Sequence, residues 1–195
     1  GAYLLSELTA ESSDGLVLYV RQNGLGDICN ANELLGLFIG RCPVDQLREA
    51  RGDCQIRHDS TAGVADEGAL AVLVDRYSAI ASEIFAAAIQ DYERGIVIGQ
   101  TTFGKGSVQN LFNLDRFLRA PGYGQLTLTI GKYYRVTGAS TQHRGVAPDI
   151  ELPSLVNTET VGESTRDTAL PWDQIEPTRF RAENSLDDPA IQLLQ

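Results

Sequence analysis

The run from Ala69 to Gly99 constrains this chain most. It opens with Ala69-Leu70-Ala71-Val72-Leu73-Val74-Asp75, an apolar stretch of strand length. From Ala81 to Tyr92, the residues Ile84, Phe85, Ala88 and Ile89 recur at helical spacing. Gly95-Ile96-Val97-Ile98-Gly99 is a second short apolar run, closed by glycine. Strands covered on both faces read as unbroken apolar runs rather than alternating ones. Strand, helix and strand in this order predict a right-handed βαβ unit with a parallel pair.

The flanks extend that unit. Gly15-Leu16-Val17-Leu18-Tyr19-Val20 reads as another buried strand, broken by Asn23-Gly24-Leu25-Gly26-Asp27. Residues 30–38 read as a helix with Asn30 as its N-cap. The stretch from Arg41 to Gly68 is polar and irregular and is expected to loop over the domain, with Val44, Leu47 and Ile56 offering short strand or helix pieces. Between Gln125 and Val136 apolar and polar residues alternate. Leu126, Leu128 and Ile130 fall on one face, and Thr127 and Thr129 on the other. That predicts a half-buried strand added in antiparallel fashion. From Thr158 the chain turns acidic and polar, with Pro171, Pro177 and Pro189. The expected organisation is one domain over 1–157 and a polar extension over 158–195 that wraps or partly frays. A length of 195 residues with 43% apolar content suits one such core.

Charge and composition exclude several classes. The net charge is −10, which disfavours nucleic acid, because phosphate binding wants clustered lysine and arginine. No apolar run reaches the roughly 20 residues of a membrane-spanning helix. The start, Gly1-Ala2-Tyr3-Leu4-Leu5, lacks the basic end and long apolar stretch of a signal peptide. Cys29, Cys42 and Cys54 have neither zinc-ribbon nor CxxC spacing, so free thiols, or one disulfide with a thiol left over, are the readings. The two histidines, His58 and His143, make a metal site or a Ser-His-Asp triad a poor fit.

Two segments carry chemistry. Tyr77-Ser78-Ala79-Ile80-Ala81-Ser82-Glu83 joins a strand to a helix. A residue at such a turn sits under the free N–H groups of the helix start, which can hold an oxyanion. The plainer reading is that Ser78 or Ser82 caps the helix. Thr102-Phe103-Gly104-Lys105-Gly106-Ser107-Val108-Gln109 places a lysine between glycines. Backbone can approach such a lysine closely, and desolvation favours the neutral amine that a general base requires. A solvated surface lysine is the plainer reading here. A P-loop is excluded, because Gly106 follows Lys105 where that motif has a hydroxyl residue.

Taken together these segments resemble the C-terminal processing (tail-specific) serine peptidases, in their bacterial periplasmic branch. Ser78-Ala79-Ile80-Ala81-Ser82-Glu83-Ile84-Phe85-Ala86-Ala87-Ala88 resembles the family's nucleophile motif, in which a serine stands at position 80. Phe103 to Gln109 resembles its catalytic lysine motif, and the 25 residues from position 80 to Lys105 match its Ser/Lys spacing. Arg21-Gln22-Asn23-Gly24-Leu25-Gly26, Tyr133-Tyr134-Arg135-Val136, Gly145-Val146-Ala147-Pro148-Asp149-Ile150 and Ala169-Leu170-Pro171-Trp172-Asp173 resemble further family segments in the same order. The resemblance implies a ClpP/crotonase-like ββα core with a parallel βαβ unit and added antiparallel strands. It also implies a serine-type peptidase that needs no cofactor or metal, acts on protein C-termini and resides in the periplasm. The family's PDZ domain, which captures substrate tails by strand addition, is not read within these residues.

Site roles follow by position. Lys105 is the implied general base, Gln109 its partner and Asp91 a supporting carboxylate. Ala81 and Gly24 are the implied oxyanion donors. Ile80 breaks the pattern, since it has no nucleophilic atom. The resemblance therefore implies a peptidase core that is inactive as written, or a peptide-binding pseudoprotease. Tyr19, Leu25 and Gln100-Thr101 also depart from the family's usual aspartate, glycine triplet and Glu-Pro, which favours natural divergence over a designed inactivation. An acyl-CoA enzyme of the crotonase type shares the plan and the backbone oxyanion hole, but usually works without a Ser/Lys pair.

Overall fold

The computed structural model describes residues 14–59, 63–118 and 121–182. The segment Gly1–Leu5 and the end of the extension, with Pro189, lie outside them. The first sheet contains β1 (Gly15–Tyr19), β4 (Ala69–Val74), β5 (Ile96–Gly99) and β8 (Ile150–Glu151). Its order is β1-β4-β5-β8 and each neighbouring pair is parallel. The second contains β2 (Pro43–Glu49), β3 (Cys54–His58), β6 (Ser107–Asn113) and β7 (Gln125–Tyr134). It is antiparallel, in the order β3-β2-β7-β6. The helices are α1 (Ile28–Leu35), α2 (Ala81–Asp91) and the short α3 (Leu114–Leu118).

The expected βαβ unit is β4-α2-β5, with Val72 opposite Val97 in a parallel ladder. Helix α2 is buried from Ala81 through Ile89. It packs against α1, β2, β4 and β5, so no face is left to water over that stretch. Ala86, Ala87 and Ala88 let neighbouring backbone approach, and Phe85 meets Phe38 edge-on at 6.1 Å. Leu35, Phe38, Ile39, Val72, Val74 and Ile89 complete the centre of the core.

Three expectations need correction. Asp27, not Asn30, caps α1: its carboxylate accepts from the Cys29 and Asn30 N–H groups, and the helix starts two residues early. The stretch 41–68 is not a loop, because it holds the β2–β3 hairpin. Its polar pattern misleads because β2 buries polar side chains that are fully paired. Asp45 takes a two-pronged bond from Arg57 at 2.6 Å, and Gln46 donates to the Arg135 and Glu176 carbonyls. Strand β7 alternates as expected, yet Leu126 and Leu128 remain 43% and 46% exposed. That half of β7 pairs with β6 alone among the described strands, beyond the reach of β2. Cys29, Cys42 and Cys54 form no disulfide with one another.

Residues 158–182 lie along the core. The buried Arg76 guanidinium donates to the carbonyls of Val161, Thr158 and Thr102. Trp172 Nε1 donates to Ser140 O at 2.9 Å and stacks under Arg144. Asp173 accepts from Tyr134 and pairs with Lys132. Arg76→Leu removes the first clasp and strands several carbonyls. Amide hydrogen exchange at Glu163 and Arg166 is expected to speed by about tenfold or more, while the Val72 and Val97 amides keep their protection.

Candidate active site

Strand β4 ends in a turn built by its own polar residues. Asp75 Oδ1 accepts from the N–H groups of Gln22, Tyr77 and Ser78 at 2.9, 3.0 and 3.1 Å. Ser78 Oγ donates to Val20 O and accepts from Asp75 N. Ser82 Oγ donates to Asn23 O and accepts from Asn23 Nδ2. Both serines flanking position 80 thus serve the turn, and neither side chain points free into a cleft. Between them Ile80 has φ 53° and ψ −104°. A β-branched residue rarely adopts a positive φ, and holding one there costs on the order of 1–3 kcal/mol. The surroundings must therefore fix this backbone, and one side chain does most of that.

That side chain is Glu83, which is completely buried. Its Oε2 accepts from the N–H groups of Ile80 at 3.1 Å and Lys105 at 3.0 Å. Its Oε1 accepts from Thr102 Oγ1 at 2.6 Å and Gly104 N at 2.7 Å. One carboxylate oxygen therefore joins the backbones of residues 80 and 105, which are far apart in sequence. Phe103 N donates to Ser78 O at 3.0 Å. On the other side Tyr133 Oη donates to Lys105 O and lies 3.5 Å from Ile80 O. Burial pushes both Glu83 and Tyr133 above their ordinary pKa values; at Glu83 the four donors oppose that shift.

The glycines around Lys105 have the close approach that their spacing suggests. Gly104 has φ 88°, and a Cβ there would lie 2.9 Å from the His143 carbonyl carbon. A Cβ on Gly106 would lie 2.8 Å from Gln142 N. The tight turn at 140–145 thus presses the lysine loop onto α2. Opposite it, the loop at 23–26 is clasped to the helix start by Ala79 N donating to Asn23 O. Lys105, Gly24, Leu25, Gln22, Tyr77, Ala79, Phe103 and Arg166 line one cavity of about 580 Å³. A smaller apolar cavity behind Leu25 reaches Ala81 and Phe85.

Four of the six sequence-derived positions converge here: Ile80, Ala81, Lys105 and Gly24. Gln109 and Asp91 do not join them. Gln109 is exposed on β6, opposite Thr129. Asp91 ends α2, about 15 Å along the axis from its start. There its carboxylate is gripped by Arg135 at 2.5 and 3.0 Å. It anchors the helix to β7, and the carboxylate that touches both motifs is Glu83.

The chain as a whole matches a known family. The model of Peptidase family S41 matches residues 2–152. The chain belongs to that family. Its relatives are tail-specific and carboxy-terminal-processing proteases. The chain is 43% identical to the tail-specific protease of Haemophilus influenzae over 98% of its own length and 28% of that protein's. It is 35% identical to the carboxy-terminal-processing protease of Bartonella bacilliformis, over 74% of its own length and 32% of that protein's. It thus spans about three-tenths of the length of these relatives. Among solved structures, the photosystem II D1 C-terminal processing protease superposes with a TM-score of 0.69 at 28% identity, over 80% of this chain and 39% of that one.

Within this S41 core, sequence reasoning missed Glu83, Asp75, Tyr133 and Arg166. Glu83 had a signal: a glutamate three residues past an N-cap position is half of a capping box. Asp75 had a weaker one, as an acid ending a strand just before a turn. The roles of Tyr133 and Arg166 depend on contacts across the fold.

A folded-state pKa above the unfolded one means that the folded chain binds the extra proton. The contribution of Glu83 is then greatest below its ordinary value of 4.5 and falls as pH rises through the folded value. The stability advantage of the native chain over Glu83→Ala in urea unfolding is expected to shrink as pH rises above the ordinary value of 4.5. An advantage that grew with pH would mean that the four donors outweigh burial.

Proposed function

We propose that this chain is the catalytic core of a C-terminal processing serine peptidase whose Ser/Lys dyad has lost its nucleophile. Position 80 carries the reading. Ile80 occupies a strained strand-to-helix turn of the kind that presents a nucleophile. The fold holds it there through Glu83, against the loop that bears Lys105. A serine at 80 would attack a scissile carbonyl and pass its proton to the Lys105 amine. The N–H groups of Ala81 and Gly24 would hold the oxyanion. Isoleucine supplies no atom for the first step.

The substrate class is a protein C-terminus, the end that the relatives' names refer to, and the family resemblance implies an apolar, unstructured one. Residence in the periplasm rests on the resemblance to the bacterial branch. No described helix is long and apolar enough to cross a membrane. The described residues contain no cluster of three or more metal-ligating side chains. A serine, the Lys105 amine and two backbone N–H groups suffice for that step.

The test is to restore the serine. Ile80→Ser is expected to cleave a peptide with a free apolar C-terminus at least about a thousandfold faster than the native chain. Adding Lys105→Ala should abolish the recovered rate. Equal cleavage by the Ile80 form would show that another group is the nucleophile. A folded but inactive Ile80→Ser protein would favour the pseudoprotease reading, a groove that binds peptides without turning them over.

A further inference from the structure

Another cavity, of about 690 Å³, lies beyond the far end of α2 and shares no lining residue with the Lys105 cleft. Tyr92 closes that helix, about 16 Å along the axis from its start. It is buried, and it ties together the two walls of the cavity. Tyr92 Oη donates to Pro43 O at 2.7 Å, which fixes the segment entering β2. The Tyr92 ring meets Phe180 edge-on at 5.5 Å, which fixes the segment at 179–182. Each wall is also pinned by backbone: Asp59 N donates to Cys42 O at 3.1 Å, and Thr178 N to Val136 O at 2.9 Å.

Arg41 lines this cavity from the first wall, and Arg179 and Arg181 line it from the second. All three are exposed, and none forms an ion pair among the described residues. No carboxylate joins them in the described lining. Three like charges around one concavity repel, and an anion between them relieves the repulsion. The chain's net charge of −10 opposes an incoming anion only weakly there, because charges more than about 8 Å away are screened at physiological salt. A guanidinium is a planar fork of donors that suits carboxylate and phosphate alike. Three forks exceed what the two oxygens and single charge of a carboxylate can use. A phosphate monoester offers three terminal oxygens and a charge of about −1.5 to −2 at neutral pH. The other walls, Ile39, Pro43, Phe180 and the Tyr92 ring, are largely apolar. The volume falls within the roughly 300–1,000 Å³ of small-molecule sites, which leaves room for the organic part of an ester. Nucleic acid fits poorly, since it needs a basic track rather than one pocket.

We propose that this cavity binds a phosphate monoester, with the phosphate held by Arg41, Arg179 and Arg181 and the organic part against Ile39, Tyr92 and Phe180. The ester is a soluble metabolite or a lipid headgroup; the chemistry that recognises it is the same. The site is independent of the peptidase reading, because it lies at the opposite end of α2 from position 80. A bound ester bridges the segment entering β2 and the segment at 179–182, and so fastens the second to the core. No bond is made or broken.

The test is isothermal titration calorimetry of the native chain with phenyl phosphate, and with benzoate as a ring of similar size bearing a single carboxylate. Phenyl phosphate is expected to bind about tenfold or more tightly than benzoate, and more weakly as salt is raised. Arg41→Gln, Arg179→Gln and Arg181→Gln should each weaken phenyl phosphate by about fivefold or more, with folding checked by circular dichroism. Arg51→Gln, exposed and outside the cavity, should leave it unchanged. Sedimentation with phosphatidylcholine vesicles carrying phosphatidic acid separates the sources. Arginine-dependent binding to them assigns a lipid headgroup, and phenyl phosphate binding without it assigns a soluble ester; both support the site. Equal affinity for phenyl phosphate and benzoate, no binding at millimolar phenyl phosphate, or an equal loss in Arg51→Gln overturns the proposal. Tighter binding of a poly-glutamate peptide than of phenyl phosphate also overturns it, in favour of acidic protein segments.

Discussion

A single buried carboxylate holds the site together. Glu83 gathers donors from the turn at 80 and from the loop at 102–105, four bonds onto two oxygens. Burial alone would make such a charge costly, and only dense hydrogen bonding makes it tolerable. The same bonds define geometry. The turn cannot relax its positive φ without surrendering the Ile80 bond, and the loop at 102–105 cannot lift without surrendering the other three. Arg76 adds a second tie from behind, donating to Thr102 O while holding residues 158–161. Asp75 does the same for the entrance of the turn and the loop at 22.

On the proposed reading, this framework is what keeps the turn at 80 and the lysine loop together without a serine between them. The hydrogen bonds at position 80 are made by its backbone. The backbone there is fixed by its own N–H and by neighbours whose polar groups are satisfied. On that reading, an isoleucine in place of a serine keeps the turn at a cost of strain and offers no nucleophilic atom. The cleft has largely apolar walls and a lysine that forms no ion pair among the described residues, in an acidic protein.

Much of the fold was legible because its central elements obey simple periodicities. β4, α2 and β5 are apolar in the patterns of buried strands and a packed helix, and their parallel pairing follows from connection length. The β2–β3 hairpin was hidden for the opposite reason. Asp45 and Gln46 are buried but polar, and their stability comes from Arg57 and from backbone carbonyls distant in sequence. Hydrophobic patterning cannot report a residue that is buried through hydrogen bonds. The site divides in the same way. Lys105 and position 80 stood out through their glycines and motif spacing. Asp91 was chosen on spacing alone and proves to be tied to Arg135. Glu83 carries the geometry, yet in the sequence it is one acid at the start of a helix.

The central claim is that residue 80 and the Lys105 ammonium face one another across this cleft. A crystal structure of the Ile80→Ser variant tests it directly. The account expects the introduced hydroxyl oxygen within hydrogen-bond reach of Lys105 Nζ, at about 2.6–3.2 Å, with Glu83 still bridging both backbones. An ammonium turned out to solvent, several ångströms beyond that reach, would contradict it.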